Sequence, residues 1–148
     1  MIDIKIDFSD AYFKKLGLKG AGYDKVVQNT LLTASVRAEE TIRREAPVKT
    51  GNLRRSINHF TNGSTTGVLA RGAPYWVNVE YGTSPHVITP VNADFLHFKI
   101  GNQDIFTKKV QHPGNKPNPF VKRSLNTMKS RGIFQECLRH SLSRNGMI

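Results

Sequence analysis

Hydrophobic and polar residues alternate with two different periods along this chain. The first stretch, MIDIKIDF, places Ile2, Ile4, Ile6 and Phe8 at every second position, with charged residues between them. A period of two is typical of a half-buried β-strand. The next stretch, SDAYFKKLGLKG, begins with residues that favour a helix N-terminus and predicts a short helix, followed by a loose, glycine-containing connection.

The strongest helical signal runs from Asp24 to Glu45. Asp24 is predicted as the N-cap of this helix. The helix must end by Pro47, because proline lacks a backbone N–H and disfavours helical geometry in the residue before it. One face carries apolar residues at helical spacing. They are Val27, Leu31, Ala34, Ala38 and Ile42.

Two pairs of alternating segments predict β-hairpins. SINHFT and TGVLAR are joined around Asn62-Gly63, a strong signal for a hairpin turn of two residues or slightly more. LHFKI is joined by the turn GNQD to a second strand over residues 105–110. Between the hairpins, PYWVNVEYGT alternates as a strand does, whereas Pro74 suits the start of a helix and Gly82 its end.

Near the C-terminus, Asn118 is predicted to cap a helix that has Pro119 in its first turn. An apolar stripe continues past Gly132, where the helix either breaks or bends. Together these elements predict an α+β fold: a mainly antiparallel sheet packed by one long helix, plus a C-terminal helical segment. A chain of 148 residues fits a single domain, residues 1–148.

The net charge of +11 is unevenly distributed. Residues 1–94 hold 12 basic and 9 acidic residues, whereas residues 95–148 hold 10 and 2. A basic C-terminal third indicates a nearby polyanion, a solvated face, or a surface that docks on an acidic neighbour. No run of five basic residues occurs, which argues against a disordered nucleic-acid-binding arm.

Compartment signals are few. No apolar run approaches the roughly 18 residues of a membrane span, and the charged N-terminal stretch does not look like a signal peptide. A single cysteine, Cys137, cannot form an internal disulfide and suits a reducing cytoplasm.

Sequence motifs for catalysis are missing, so we predict no enzyme, no cofactor and no metal. The five histidines form no zinc-binding pattern, and the acidic residues show no paired carboxylates. Gly17 and Gly22 have the glycine spacing of a phosphate-binding loop, but Tyr23 stands where that motif needs lysine. The pairs Arg54-Arg55 and Lys108-Lys109 suit phosphate contacts, without any base-reading motif.

Three blocks carry a family resemblance. They are APVKTGNLRRSI, PYWVNVEYGTSP and HPGNKPNPFVKRSL. In their composition, order and separation, they resemble the tail-completion (neck) proteins of tailed bacteriophages. The resemblance covers essentially the whole chain, and the blocks are specific only in combination. It implies that PYWVNVEYGT is a short helix, against its period of two.

The resemblance also implies a function. Proteins of this kind are non-catalytic virion proteins, assembled in the host cytoplasm. They form a ring, typically of six subunits, at the head–tail neck. The expected partners are other copies of the chain, a head-closure protein, a tail terminator or tail tube protein, and the duplex DNA that passes non-specifically through the lumen. If loops order only on docking, the free chain can be a monomer and the ring forms on assembly.

Residues that match the family pattern are candidates for architecture or for subunit contacts. If buried, Glu80 needs a partner; Arg54 or Arg55 is predicted for this role, with a subunit contact as the alternative. The candidates are Pro47, Thr50, Gly51, Leu53, Arg54, Arg55, Tyr75, Glu80, Gly82, Thr83, His112, Pro113, Gly114, Pro119 and Phe120. A basic nucleic-acid-binding module remains the alternative function, and a phage-derived nuclease a weaker one, since a carboxylate cluster is missing.

Overall fold

A computed structural model describes residues 23–62 and 65–148. The predicted N-terminal strand and short helix, the Gly17 and Gly22 spacing and the turn of the first hairpin lie outside these residues. The elements in chain order are α1 Tyr23–Glu45, α2 Asn52–Ser56, β1 Ile57–Asn62, β2 Thr65–Ala70, α3 Trp76–Tyr81, β3 His86–Ile88, β4 Leu96–Ile100, β5 Gln103–Thr107, β6 Val110–His112, α4 Phe120–Ser130 and α5 Ile133–Arg144.

The chain divides into two compact units. The first combines the described residues up to Trp76 with residues 120–148, and the second comprises residues 77–119. Among the described residues, three β-sheets are present, each antiparallel and two-stranded, pairing β1 with β2, β3 with β6 and β4 with β5. The predicted α+β class is therefore confirmed, although the described strands form three small sheets instead of one larger sheet.

Helix α1 is the centre of the first unit. Of the predicted stripe, Ala34, Ala38 and Ile42 are buried, but Val27 and Leu31 are only half-buried. Val26 and Thr30 take the buried positions at that end of the helix. A search for apolar residues misses Thr30 because threonine is polar. Its burial is possible because its hydroxyl donates to the Val26 carbonyl at 2.7 Å, which satisfies the polar group inside the core.

The start of α1 differs from the prediction. The described helix already includes Tyr23, so Asp24 lies in the first turn and is not the N-cap. A carboxylate there still interacts favourably with the positive end of the helix dipole.

The hairpin of β1 and β2 packs on α1. Its register runs from Ile57 opposite Ala70 to Asn62 opposite Thr65. The predicted hairpin is confirmed. A hydrogen bond from the Thr66 hydroxyl to the Ser35 hydroxyl, 3.1 Å long, joins the hairpin to the helix.

Helices α4 and α5 also pack on α1. The C-terminal helical segment is interrupted between them at Gly132. Leu138 and Leu142 form a core cluster with Val26, and the Ser141 hydroxyl donates to the Val26 carbonyl at 3.0 Å. Helix α4 begins at Phe120, so Pro119 lies directly before the helix and not in its first turn. Asn118 is therefore one residue too early to be the predicted N-cap.

The second unit contains the segments that the sequence predicted least well. PYWVNVEYGT forms helix α3, as the family resemblance implies and against its period of two. The turn between β4 and β5 consists of Gly101 and Asn102 alone, so Gln103 and Asp104 belong to the strand. Val110 lies in β6 and pairs with β3, not in the hairpin.

No helix among the described residues is long and apolar enough to cross a membrane.

Candidate functional site

The first family block is a helix-to-hairpin joint. Helix α1 ends just before Pro47, and Gly51 adopts a φ of +79°, which L-residues with side chains rarely adopt. Gly51 is the N-cap of α2 and no side chain caps this helix; the hydroxyl of Thr50 accepts the backbone N–H of Asn52 at 3.4 Å, a long contact. Leu53 is 5% exposed and anchors the short helix α2 in the core.

Both arginines of this block make contacts close to their own position. Arg54 donates from Nη2 to the carbonyls of Ala46 at 3.0 Å and Arg44 at 3.3 Å, groups that the end of α1 leaves without helical partners. Arg55 donates to the Thr50 carbonyl at 3.2 Å and the Asn52 side chain at 2.6 Å. These bonds are structural, and the pairing of either arginine with Glu80 stays a prediction.

The second and third blocks meet in the second unit, through Thr83 and Asn115, which are 32 positions apart in the sequence. Thr83 and Asn115 exchange backbone hydrogen bonds of 3.0 and 3.1 Å, and the Asn115 N–H also lies 3.0 Å from the Thr83 hydroxyl. Gly82 and Gly114 flank this bridge, with φ of +74° and +81°. We call these four residues the clasp.

The clasp requires glycine for reasons of space as well as conformation. A Cβ on Gly114 would lie 2.1 Å from the Thr83 carbonyl oxygen, and one on Gly82 would lie 2.5 Å from the Asn115 carbonyl oxygen. Both obstacles are backbone atoms, which cannot move aside as a flexible side chain does. The glycines of the two blocks therefore allow two backbone segments to approach each other closely.

His112 supports the turn that leads into the clasp. Its Nδ1 accepts the backbone N–H of Gly114 at 3.0 Å. The His112 ring also lies beside that of His86, with ring centroids 5.0 Å apart, because the two residues are opposite each other in the β3–β6 pair. His112 thus contacts both the turn at Gly114 and the neighbouring strand β3.

The remaining candidates differ in exposure. Phe120 is 1% exposed and fills the core of the first unit. Tyr75 is 43% exposed and does not fill the core. Glu80 is 4% exposed. Pro113, next to Gly114 of the clasp, is exposed. Pro119, directly before α4, is half-buried.

One polar cluster was missed by the sequence analysis. Glu39 on α1 accepts the backbone N–H of His59 at 2.7 Å, contacts the imidazole of His59 through the same oxygen, and pairs with Arg43 at 2.7 Å. Burial by itself would raise the pKa of Glu39, but the two hydrogen bonds from His59 and the charges of Arg43 and His59 together lower that pKa below its ordinary value. Arg43 also donates to the Ile57 carbonyl at 2.8 Å, so the cluster ties α1 to β1.

The chemistry available in the described residues is limited. They contain no group of three or more His, Cys, Asp or Glu side chains able to hold a metal ion. A cavity of about 550 Å³ between α1 and α5 is lined in part by Arg37, Arg139 and Cys137. Burial raises the pKa of the Cys137 thiol, which keeps the thiol protonated and unreactive.

Comparison with known proteins gives one match. Residues 10–82 match the family model described as "Bacteriophage HK97-gp10, putative tail-component". No curated protein and no solved structure matches the chain significantly. The matched region contains the first two blocks and ends at Gly82, the first residue of the clasp. Over residues 10–82 the chain thus resembles a bacteriophage tail-component family, a class of phage tail-related structural proteins.

Proposed function

We propose that this chain is a tail-completion protein, a subunit of the ring that joins the head-closure ring to the tail tube in a tailed phage. In this proposal the chain acts as one neck-type domain, assembles in the host cytoplasm and resides in the virion at the head–tail joint. Its partners are copies of itself, in a ring of six, the head-closure protein, and the tail terminator or tail tube protein.

The tail-component match over residues 10–82 is the observation that carries this proposal. The clasp adds support, because it joins the end of the matched region to Gly114 and Asn115, which lie outside it. The third family block is thereby bound to the second by backbone contacts that require glycine at positions 82 and 114.

Charge supports a passive role toward DNA. Residues 120–148 hold six Lys or Arg residues and one Glu. In a ring around a DNA channel, such a surface favours non-specific phosphate contacts without base readout. The same observation favours the second candidate function, a basic nucleic-acid-binding module without enzymatic activity. Affinity at physiological salt separates the two, because a dedicated module binds duplex DNA there.

The test uses tails assembled in the absence of this chain. The purified chain is added to these tails and to DNA-filled heads, and joining is followed by electron microscopy and by infectivity. We expect a ring at the head-proximal end of the tail and restored joining. Tails that bind no ring and join heads equally well without the chain would contradict the proposal.

A further inference from the structure

The β4–β5 hairpin is a two-stranded ribbon with two open edges. Among the described residues, β4 pairs only with β5 and β5 only with β4. Two of its large apolar side chains are exposed, Ile100 at 66% and Phe106 at 65%. Because isolated two-stranded hairpins are marginally stable in water and open edges accept further strands, this ribbon is suited to pairing with another chain.

The turn determines which backbone groups face the open edges. In a hairpin with a two-residue turn, the flanking residues Ile100 and Gln103 exchange hydrogen bonds. Antiparallel pairs then alternate, so the next pair, Lys99 with Asp104, is not hydrogen-bonded through the backbone. The same holds for His97 with Phe106. The N–H and C=O groups of these four residues point outward, two residues on each edge.

The side chains of the two edges are complementary. Within the hairpin, His97 Nε2 lies 2.7 Å from Asp104 Oδ1, and Lys99 Nζ lies 3.9 Å from the same oxygen. The rings of His97 and Phe106 stack, with centroids 4.6 Å apart and planes at 11°. The β4 edge therefore offers a cation and an imidazole, whereas the β5 edge offers a carboxylate and an aromatic ring.

We propose that β5 of one copy pairs antiparallel with β4 of the next copy, with Asp104 opposite Lys99 and Phe106 opposite His97. Each such contact repeats, between copies, the pairing that already holds the hairpin together. Pairing β4 with β4 would place Lys99 opposite His97 or another Lys99, and pairing β5 with β5 would bring no cation of the second copy to Asp104, only Phe106 or another Asp104. Edge charges usually protect strands from pairing; here they oppose the two symmetric arrangements and favour the head-to-tail one.

A head-to-tail contact uses two different surfaces of each copy, so it leads to a closed ring or to an open filament. The inference rests on the proposed function only for the place of that ring in the virion. The contact itself is a property of the chain and can be tested without phage components.

Charge exchange gives the decisive experiment, with sedimentation velocity from micromolar to millimolar chain concentration as the readout. In Lys99→Glu, each contact would place Glu opposite Asp104, and in Asp104→Lys it would place Lys opposite Lys99. We expect each variant alone to self-associate about tenfold more weakly than the unaltered chain, from the loss of one charge pair and the gain of a repulsion. An equimolar mixture restores association, because every contact between unlike chains again joins opposite charges.

Proline variants test the direction of assembly. Lys99→Pro blocks the outward N–H of β4 and Asp104→Pro that of β5, while the ladder bonds inside the hairpin are kept; Lys99→Ala and Asp104→Ala are the matched controls. We expect each proline variant to be monomeric and their mixture to stop at dimers. Backbone NMR of β4 and β5 verifies the hairpin, and the charge-exchange pair decides the matter if proline opens it.

Three outcomes would overturn the inference: an unaltered chain that stays monomeric up to millimolar concentration, a single proline variant that forms dimers, or charge variants whose mixture associates no better than either alone. None of these outcomes bears on whether the chain joins heads to tails. Conversely, an edge-mediated assembly that binds no tails would remove the proposed function and leave this contact intact.

Discussion

At the scale of single residues, the clasp shows how glycine specifies a contact by what it lacks. The backbone carbonyl of Thr83 occupies the space that a Cβ on Gly114 would need. Gly101 makes an informative contrast, because it also has a positive φ, +60°, but a Cβ there would meet nothing within 4 Å. The two glycines therefore separate the cost of backbone conformation from the cost of a steric clash.

We predict that Gly114→Ala destabilises the second unit far more than Gly101→Ala. The conformational cost of alanine at positive φ is about 1–2 kcal/mol and applies to both. Only Gly114→Ala also separates Thr83 from Asn115 and breaks their hydrogen bonds, with an added cost of about 2 kcal/mol or more. Hydrogen exchange of the Asn115 amide measures the difference. Equal protection of this amide in the two variants would contradict the role of the clasp.

At the scale of elements, the sequence pattern predicts the long helix and the hairpins correctly. It does not predict the short helix α3 or the contact between segments distant in the sequence. The 23-residue helix α1 and the two hairpins have enough repeats for their period to be unambiguous. Helix α3 has only six residues, less than two turns, so alternating aromatic and valine residues mimic a strand. The pairing of Thr83 with Asn115 has no local signal, because it depends on backbone proximity between segments 32 residues apart.

The Glu39 cluster is the element-level contact whose pH dependence we predict. The lowered pKa of Glu39 means that the folded state binds its proton less readily than the unfolded state does. The resulting stabilisation is present above the ordinary carboxyl pKa and is lost as the pH falls through the lower pKa of the folded state. Glu39→Gln removes the charge but keeps the size of the side chain, so we expect it to cost about 1–3 kcal/mol at neutral pH.

Chemical denaturation of Glu39→Gln and the unaltered chain between neutral pH and the acid limit of folding measures this effect. The difference in unfolding free energy should shrink as the pH falls. Glu40→Gln is the matched control, since Glu40 is exposed and pairs with Arg37 only at 3.9 Å; it should change stability by less than about 1 kcal/mol. A constant difference between the Glu39→Gln and unaltered chains at all pH values would mean that its charge is not involved.

At the scale of the whole molecule, the match to a phage tail-component family indicates a structural role. The clasp is a contact between backbone segments, and the β4–β5 hairpin has open backbone edges. The net charge of +11 is the one global property that also fits a dedicated nucleic-acid-binding protein. The salt dependence of duplex DNA binding therefore decides between the two functions.

We predict that the free chain binds duplex DNA at low salt and loses measurable affinity at about 150 mM salt, the physiological level. Neutralising four exposed residues of the C-terminal helical segment, as Lys129→Gln, Arg131→Gln, Arg139→Gln and Arg144→Gln together, should weaken low-salt binding and flatten its salt slope by about 0.9 per lost phosphate contact. The matched control removes the same charge elsewhere, as Lys25→Gln, Arg44→Gln, Lys49→Gln and Arg71→Gln, and should change the slope less. Fluorescence anisotropy over a salt series gives both slopes.

For a connector subunit, the C-terminal variant still joins heads to tails, because DNA contact in a channel is incidental to ring assembly. Firm binding at physiological salt, combined with loss of joining in the same variant, would instead establish DNA binding as the function.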